Sequence, residues 1–257
     1  MDFRWMAAAC AAMIVGGASA QDAVQWRVQD GGNGHWCRVV VASEPLTWAS
    51  ANGSALAVGA HLASVSSAAE NGFLRDLSLS TPGAVRNAGG TTVGPWLGAH
   101  RDPSSGALVW SSGETWGFSA WCGGEPSGPS WEDAVCYFTA SLCWNDRPGD
   151  FVGFTACRSA ILEWSADCNG DGLVDYGQIL TGQLADTNAN GIPDTCEPDP
   201  CPGDVTDNGI VNGTDLAAIL TAWGSGGKSE YDCDVDNDGA VGGGDLAIVL
   251  AGWGACP

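Results

Sequence analysis

Between Cys122 and Asp146 the chain gathers Glu125, Ser127, Glu132, Asp133, Asn145 and Asp146, with glycines and prolines among them and no lysine. Carboxylates and amides gathered with no lysine near to pair with them need some other partner. Such charges are costly to hold together unless a cation neutralises them. Paired carboxylates can also cleave glycosides, so Glu125 and Glu132 admit a reading as acid and base. The histidines, His35, His61 and His100, are scattered, and neither a serine-nucleophile elbow nor an HExxH motif is present. The chain is therefore expected not to be an enzyme, with glycoside hydrolysis the least favoured alternative.

The C-terminal part repeats a second oxygen pattern. "DVTDNGIVNGTDLAAILTAWG" begins at Asp204 and "DVDNDGAVGGGDLAIVLAGWG" at Asp234. Both place oxygen side chains at loop positions one, three and five, glycine at six and Asp at twelve. The donors are Asp204, Thr206, Asn208 and Asp215 in the first loop, and Asp234, Asp236, Asp238 and Asp245 in the second. The position-seven carbonyls of Ile210 and Ala240 would add a main-chain oxygen, and the glycine permits the sharp turn. After each loop, Leu216, Leu220 and Trp223 match Leu246, Leu250 and Trp253 at near-helical spacing, so each loop should feed a short amphipathic helix. Two further loops start at Asp167 and Asp186, with oxygens at one, three, five and nine. Asp167, Asn169 and Asp171 are the candidate ligands of one, and Asp186, Asn188, Asn190 and Glu197 of the other; Gln178 is a weak twelfth-position donor.

The whole chain carries a formal charge of -21, unevenly spread. Residues 165–257 hold sixteen acids against Lys228 alone, whereas residues 21–164 hold thirteen acids and seven arginines. Phosphate-driven nucleic-acid binding is excluded on that balance. Residues 1–20 have a basic residue, an apolar run and an Ala-Ser-Ala end, the anatomy of a secretory signal. No membrane span is expected after its removal, and the product should be secreted or held at the cell surface. Ten cysteines then remain without a CxxC pair, which favours disulfides over metal thiolates. Cys136 with Cys143 across a hairpin, and Cys201 with Cys256 across the acidic module, are the expected bridges.

Expected boundaries are residues 1–20 for the signal, 21–164 for a mixed α+β domain, 165–200 for an acidic calcium-loop segment and linker, and 201–257 for the duplicated module. "CRVVVA" and "AILEW" read as strands; "LTWASANGSALAVG" and "SSAAENGFLRDLSL" read as helices, with Ser66 a cap before Glu70. Crowded tryptophans and glycines imply long irregular loops.

The order "WLGAH", "VWSSGETWGFSAWCGGEPSG", "WEDAV", "WND", "ILEW" resembles the C-type lectin-like domain along residues 21–164. That resemblance implies an α+β fold and one calcium held by Glu125, Ser127, Glu132, Asn145 and Asp146. In the family the same groups bind vicinal hydroxyls of a glycan, mannose-type when the triplet begins with Glu, and the Glu125–Pro126 peptide should be cis. Ser127 stands where the family has Asn or Asp. The family's two disulfides are missing in pairs: Ala55 and Leu162 replace one, and Ala134 replaces the third cysteine with no partner soon after Asp146. The duplicated module resembles the dockerin family, which implies a cohesin-like protein partner. Its positions ten and eleven, Gly213–Thr214 and Gly243–Gly244, lack the family's Ser-Thr recognition pair. The loops at Asp167 and Asp186 resemble thrombospondin type 3 repeats. The leading expectation is a secreted calcium-dependent lectin with a docking module; the alternative is a lectin-like interaction or structural module, binding protein or ice, with a degraded sugar site.

Overall fold

The computed structural model describes residues 23–128, 131–197, 199, 201–226 and 231–256; the expected signal at 1–20 lies outside them. The chain divides into two compact units, Met1–Cys196 and Glu197–Pro257.

The first unit is mixed α+β around a twisted sheet. Its strands are β1 (Val24–Gln25), β2 (Trp36–Val41), β3 (His61–Leu62), β4 (Arg86–Ala88), β5 (Thr91–Arg101), β6 (Leu108–Trp110), β7 (Ala134–Phe138), β8 (Cys143–Arg147) and β9 (Ser159–Trp164). The order across the sheet is β1-β2-β9-β5-β7-β8, with β3 on β9 and β4 and β6 on β5. The expected strands "CRVVVA" and "AILEW" are thus β2 and β9, paired from Trp36 opposite Trp164 to Val41 opposite Ser159. Adjacent strand residues point to opposite faces, so Val39, Leu97 and Ile161 enter one apolar cluster while Val40, Trp96 and Leu162 enter the other. In the middle of β5, a Cβ on Gly98 would run into the Leu62 carbonyl, and only glycine lets the two strands approach.

Helices α1 (Trp48–Leu56) and α2 (Ala68–Ser80) are the two expected ones. The cap of α2 falls one residue later than expected: Ser67 Oγ accepts from Glu70 N, while the Glu70 carboxylate accepts from Ser66 N and Ser66 Oγ. The Ser67 hydroxyl thereby satisfies one of the free amides at the helix start. Ala55 and Leu162, the positions of a missing family disulfide, are both buried in one apolar cluster with Trp96. Packing replaces the covalent link there.

The disulfide expectation needs one correction. Cys143 is bonded to Cys122, not to Cys136. The β7–β8 hairpin sets Cys136 opposite Asn145 and Cys143 opposite Phe138, so the two cysteines are offset along it. Cys136 is instead a fully buried free thiol. Cys168 is bonded to Cys196, and Cys201 to Cys256 as expected. Beyond β9, α3 (Asp175–Thr181) packs back on the sheet: Tyr176 stacks on Trp164 with ring centroids 4.2 Å apart. A Cβ on Gly191 would meet the Val58 carbonyl, and one on Gly59 would meet Ile192, so the Asp186 loop packs within the first unit.

The second unit holds β10 (Ile210–Val211), α4 (Gly213–Ala222), α5 (Gly243–Ala251) and β11 (Gly254–Ala255), with β10 antiparallel to β11. Both expected helices form. Its core is small: Val211, Ile219, Ala222, Cys233, Val241 and Val249. Leu220, Trp223, Leu250 and Trp253 lie outside it, each about half exposed (49–55 %). The stripe read as a core face in the sequence is thus split, because a two-helix unit buries only one narrow side of each helix.

Candidate functional site

The 122–146 region is fastened at both ends. The Cys122–Cys143 bridge ties the loop to β8, Cys122 N donates to Trp144 O (2.8 Å) and Trp144 N to Ala120 O (2.8 Å). Trp144 is fully buried, with Trp110, Trp116, Phe118 and Trp121 around it edge-on. Its Nε1 donates to Asn71 Oδ1 on α2 (2.9 Å), as does the Tyr137 hydroxyl (3.0 Å). A buried, fully hydrogen-bonded tryptophan is a rigid base, and Asn145 and Asp146 follow it directly.

The Glu125–Pro126 peptide is cis, as expected. Ser127 N donates to Asp146 Oδ1 at 3.1 Å, which joins the triplet to β8. Gly128 lies against Glu132: a Cβ there would collide with the Glu132 carboxylate. Burial raises the Glu132 carboxyl above the usual carboxylate range, with the Asp146 and Glu125 charges adding to it. Glu125 Oε2 is buried and has no hydrogen-bond partner. Asn145 lies on the same strand, half-buried. Glu125, Ser127, Glu132 and Asp146 are therefore brought to one place, and the orphan oxygen and converging charges suit an added cation.

One neighbour was not legible in the sequence. Arg101, at the end of β5, donates from Nη2 to Asp146 Oδ2 at 2.9 Å and from Nε to Glu132 O at 2.9 Å. The carboxylates of Glu125, Glu132 and Asp146 are held in a more open arrangement than those of Asp234, Asp236 and Asp245, whose ligand atoms lie within 4.8 Å of one another. Only the forty-five-residue contact between Arg101 and Asp146 reveals this basic group, and no local pattern could.

The four acidic loops share one backbone. Positions four and six are left-handed in each: Gly170 and Gly172, Ala189 and Gly191, Asp207 and Gly209, Asn237 and Gly239. In three of them the first Asp accepts from the amides of positions five and six, at 3.1 and 2.9 Å for Asp167, 3.1 and 2.9 Å for Asp186, and 3.0 and 2.6 Å for Asp204. Among the described residues the Asp234 carboxylate accepts from Gly239 N alone, and its buried Oδ1 is left without a partner. Asn169, Asn188, Asn208, Asp236 and Asp238 each cap an amide two residues on. These turns aim side-chain oxygens inward, the arrangement a cation needs.

The twelfth positions differ. Asp215 and Asp245 are buried and reach back to the start of their helices, accepting from Asn212 N (2.8 Å) and Gly242 N (2.6 Å). Burial pushes both carboxyls up, but the hydrogen bonds each accepts outweigh it and hold them below the usual range. Thr206 donates to Asp215 from N and Oγ1. Gln178 Nε2 donates to Asp171 Oδ2 (2.7 Å), and its Oε1 accepts from Asn169 Nδ2 (3.4 Å). Asp175, at position nine of that loop, is buried with Oδ1 unpartnered.

No family model matches the chain. A type-2 ice-structuring protein of Hemitripterus americanus is 32% identical over 107 residues, 40% of this chain and 56% of that protein. The chain thus spans little more than half the length of the curated relative it matches. Among solved structures, a Ca2+-dependent type II antifreeze protein in its Ca2+-free form is 23% identical, covering 56% of this chain and 98% of that one, with a TM-score of 0.42. The cow C-type carbohydrate-recognition domain of CD23, in the presence of GlcNAc2Man3 oligosaccharide, is 19% identical over 58% of this chain and 96% of that one, TM-score 0.43. The first unit is mixed α+β, with few helices, long loops and disulfides, and the structures it is similar to are C-type lectin-like proteins. These similar proteins are named for ice structuring and for carbohydrate recognition. No helix among the described residues is long and apolar enough to cross a membrane.

Proposed function

We propose that this chain is a secreted or surface-held calcium-dependent carbohydrate-binding protein, with residues 21–164 as the lectin domain and 201–257 as a calcium-stabilised docking module. The observation that carries the first part is Glu125 Oε2, buried without a partner beside Glu132 and Asp146. An unpaired buried carboxylate oxygen is expensive unless a cation meets it. Glu125, Ser127, Glu132, Asn145 and Asp146 would hold the calcium, which when bound supplies coordination to two vicinal sugar hydroxyls. Glu125 accepts from one hydroxyl and Asn145 donates to the other, the pattern of mannose-type glycans. A calcium titration with and without mannose, read calorimetrically, tests this; heat from mannose only in the presence of calcium is expected.

The second part rests on the four loops with one backbone and on Asp234 Oδ1. Leu220 with Trp223, and Leu250 with Trp253, are the exposed apolar groups that a cohesin-like partner would cover. A second reading of the first unit, an interaction or ice-binding module with a degraded sugar site, is favoured by Ser127, by Arg101 on Asp146 and by the 32% identical ice-structuring relative. Glycoside hydrolysis by Glu125 and Glu132 is the least supported, since both belong to the proposed cation site.

A further inference from the structure

A second convergence of ligand atoms uses none of the residues above. Pairing of β2 and β3 with β9 sets Cys37 and His61 on either side of Glu163. The Glu163 carboxylate is 2 % exposed; Oε1 lies 2.6 Å from His35 Nδ1, and Oε2 accepts from Ser64 N at 2.8 Å and lies 3.9 Å from His61 Nδ1. Glu114, in the loop after β6, brings a second carboxylate to the same point. One ligand atom from each of His35, Glu114 and Glu163 lies within 4.8 Å of the other two. Among the described residues no Lys or Arg pairs with either carboxylate.

We propose that His35, Glu114 and Glu163 form a binding site for one divalent transition-metal cation of the zinc class, distinct from the calcium sites. The donor set decides the metal. Calcium takes oxygens from flexible loops, whereas an imidazole with two carboxylates suits zinc-like ions in four-coordinate geometry. Ligands about 2.0–2.1 Å from such an ion stand roughly 3.4 Å apart, so side-chain rotations must open the 2.6 Å His35–Glu163 contact and draw Glu114 in. The cation takes the place of the hydrogen between His35 Nδ1 and Glu163 Oε1; the imidazole hydrogen moves to Nε2, and Glu114 becomes the third ligand. Two carboxylates facing a doubly charged ion also remove the repulsion left by the absent basic partner. Ser64 N keeps its bond to Glu163 Oε2 and fixes that carboxylate, the outer-shell support typical of metal ligands. An open groove lined by His61, Ser111, Ser112 and Trp164 lies beside the cluster, and Ser112 Oγ accepts from Glu114 N.

The test uses the full chain saturated with calcium, so that the acidic loops are filled, and titrates it with Zn2+ by calorimetry and with Co2+ by visible absorption. One ion per chain is expected, with nitrogen-oxygen ligand-field bands. His35→Gln and Glu114→Gln should each weaken binding at least tenfold, and Glu125→Gln should leave it unchanged. Glu114 is half-buried in a loop, and an unaltered near-ultraviolet circular dichroism spectrum of its variant secures the comparison. No uptake by the calcium-saturated chain, uptake indifferent to both substitutions, or a thiolate-to-cobalt charge-transfer band would each overturn the assignment. Loss of transition-metal binding in Glu125→Gln would overturn it as well, by placing the ion at the other site.

Discussion

Arg101 Nη2 stands 2.9 Å from Asp146 Oδ2, and Asp146 is fully buried. The same carboxylate accepts from Ser127 N through its other oxygen. Asp146 therefore links the end of β5, the Glu-Pro-Ser turn and β8, and a cation entering the site meets a residue already engaged.

Replacing Arg101 with methionine strands Asp146 in the interior. Without calcium the variant should lose about 3–5 kcal/mol, the usual cost of removing one partner from a buried ion pair. Calcium should recover much of that loss and bind more tightly than to the parent, because Asp146 Oδ2 is released. Urea unfolding with and without calcium measures both effects. Equal deficits in the two conditions would mean that Asp146 is not a ligand.

Ser127 offers a short hydroxyl where a longer amide would reach both ion and sugar. Ser127→Asn should strengthen calcium and mannose binding by about 1 kcal/mol, roughly fivefold, the worth of one hydrogen bond. Asn145→Ala should abolish mannose binding. If calorimetry finds the first change flat and the second silent, the interaction-module reading takes its place.

Calcium removal should act most strongly on residues 201–256. The core there is small, and its carboxylates repel one another once the ion leaves. Hydrogen exchange across α4 and α5 should accelerate on chelation, with β2 and β9 much less affected. The Asp234 loop should fill first, since Asp234, Asp236 and Asp245 already converge and Asp234 Oδ1 has no partner, whereas Thr206 and Asn208 serve the other loop. Exchange rates unchanged by chelation would refute this order of stability.

Two carboxylates should titrate on opposite sides of the normal range. Hydrogen bonds from the Ser104 hydroxyl and from the Ser105 and Ser104 amides lower Asp102 to about 2. A depressed folded value contributes stability above the unfolded value, and that contribution is lost as pH falls through about 2. Burial first, then the Asp146 and Glu125 charges, raises Glu132. Its sign is the reverse: ionised Glu132 disfavours the calcium-free fold, and the penalty fades as pH falls through the raised value. Carboxyl carbon shifts followed by NMR in the calcium-free protein should show Asp102 titrating last and Glu132 among the first.

Much of this protein is local and could be read in order along the chain. The four acidic loops were legible because their oxygen side chains lie within twelve residues and glycine at position six reports the turn directly. Strands β2 and β9 and helices α1 and α2 were legible from apolar runs, though the cap moved from Ser66 to Ser67. The cis Glu125–Pro126 peptide and the gathering of Glu125, Ser127, Glu132 and Asp146 followed from resemblance, not spacing. Other features lay beyond the sequence because they join distant residues. Cys143 chose Cys122 over Cys136 through the register of the β7–β8 hairpin, and Leu220 and Trp223 were left outside a core too narrow to take them. The amino-acid sequence by itself determined where oxygen donors occur and how each loop turns. Only the tertiary structure decided that Arg101 meets Asp146 and that His35 and Glu114 meet Glu163, because such contacts are set by strand pairing across tens of residues rather than by neighbours in the chain.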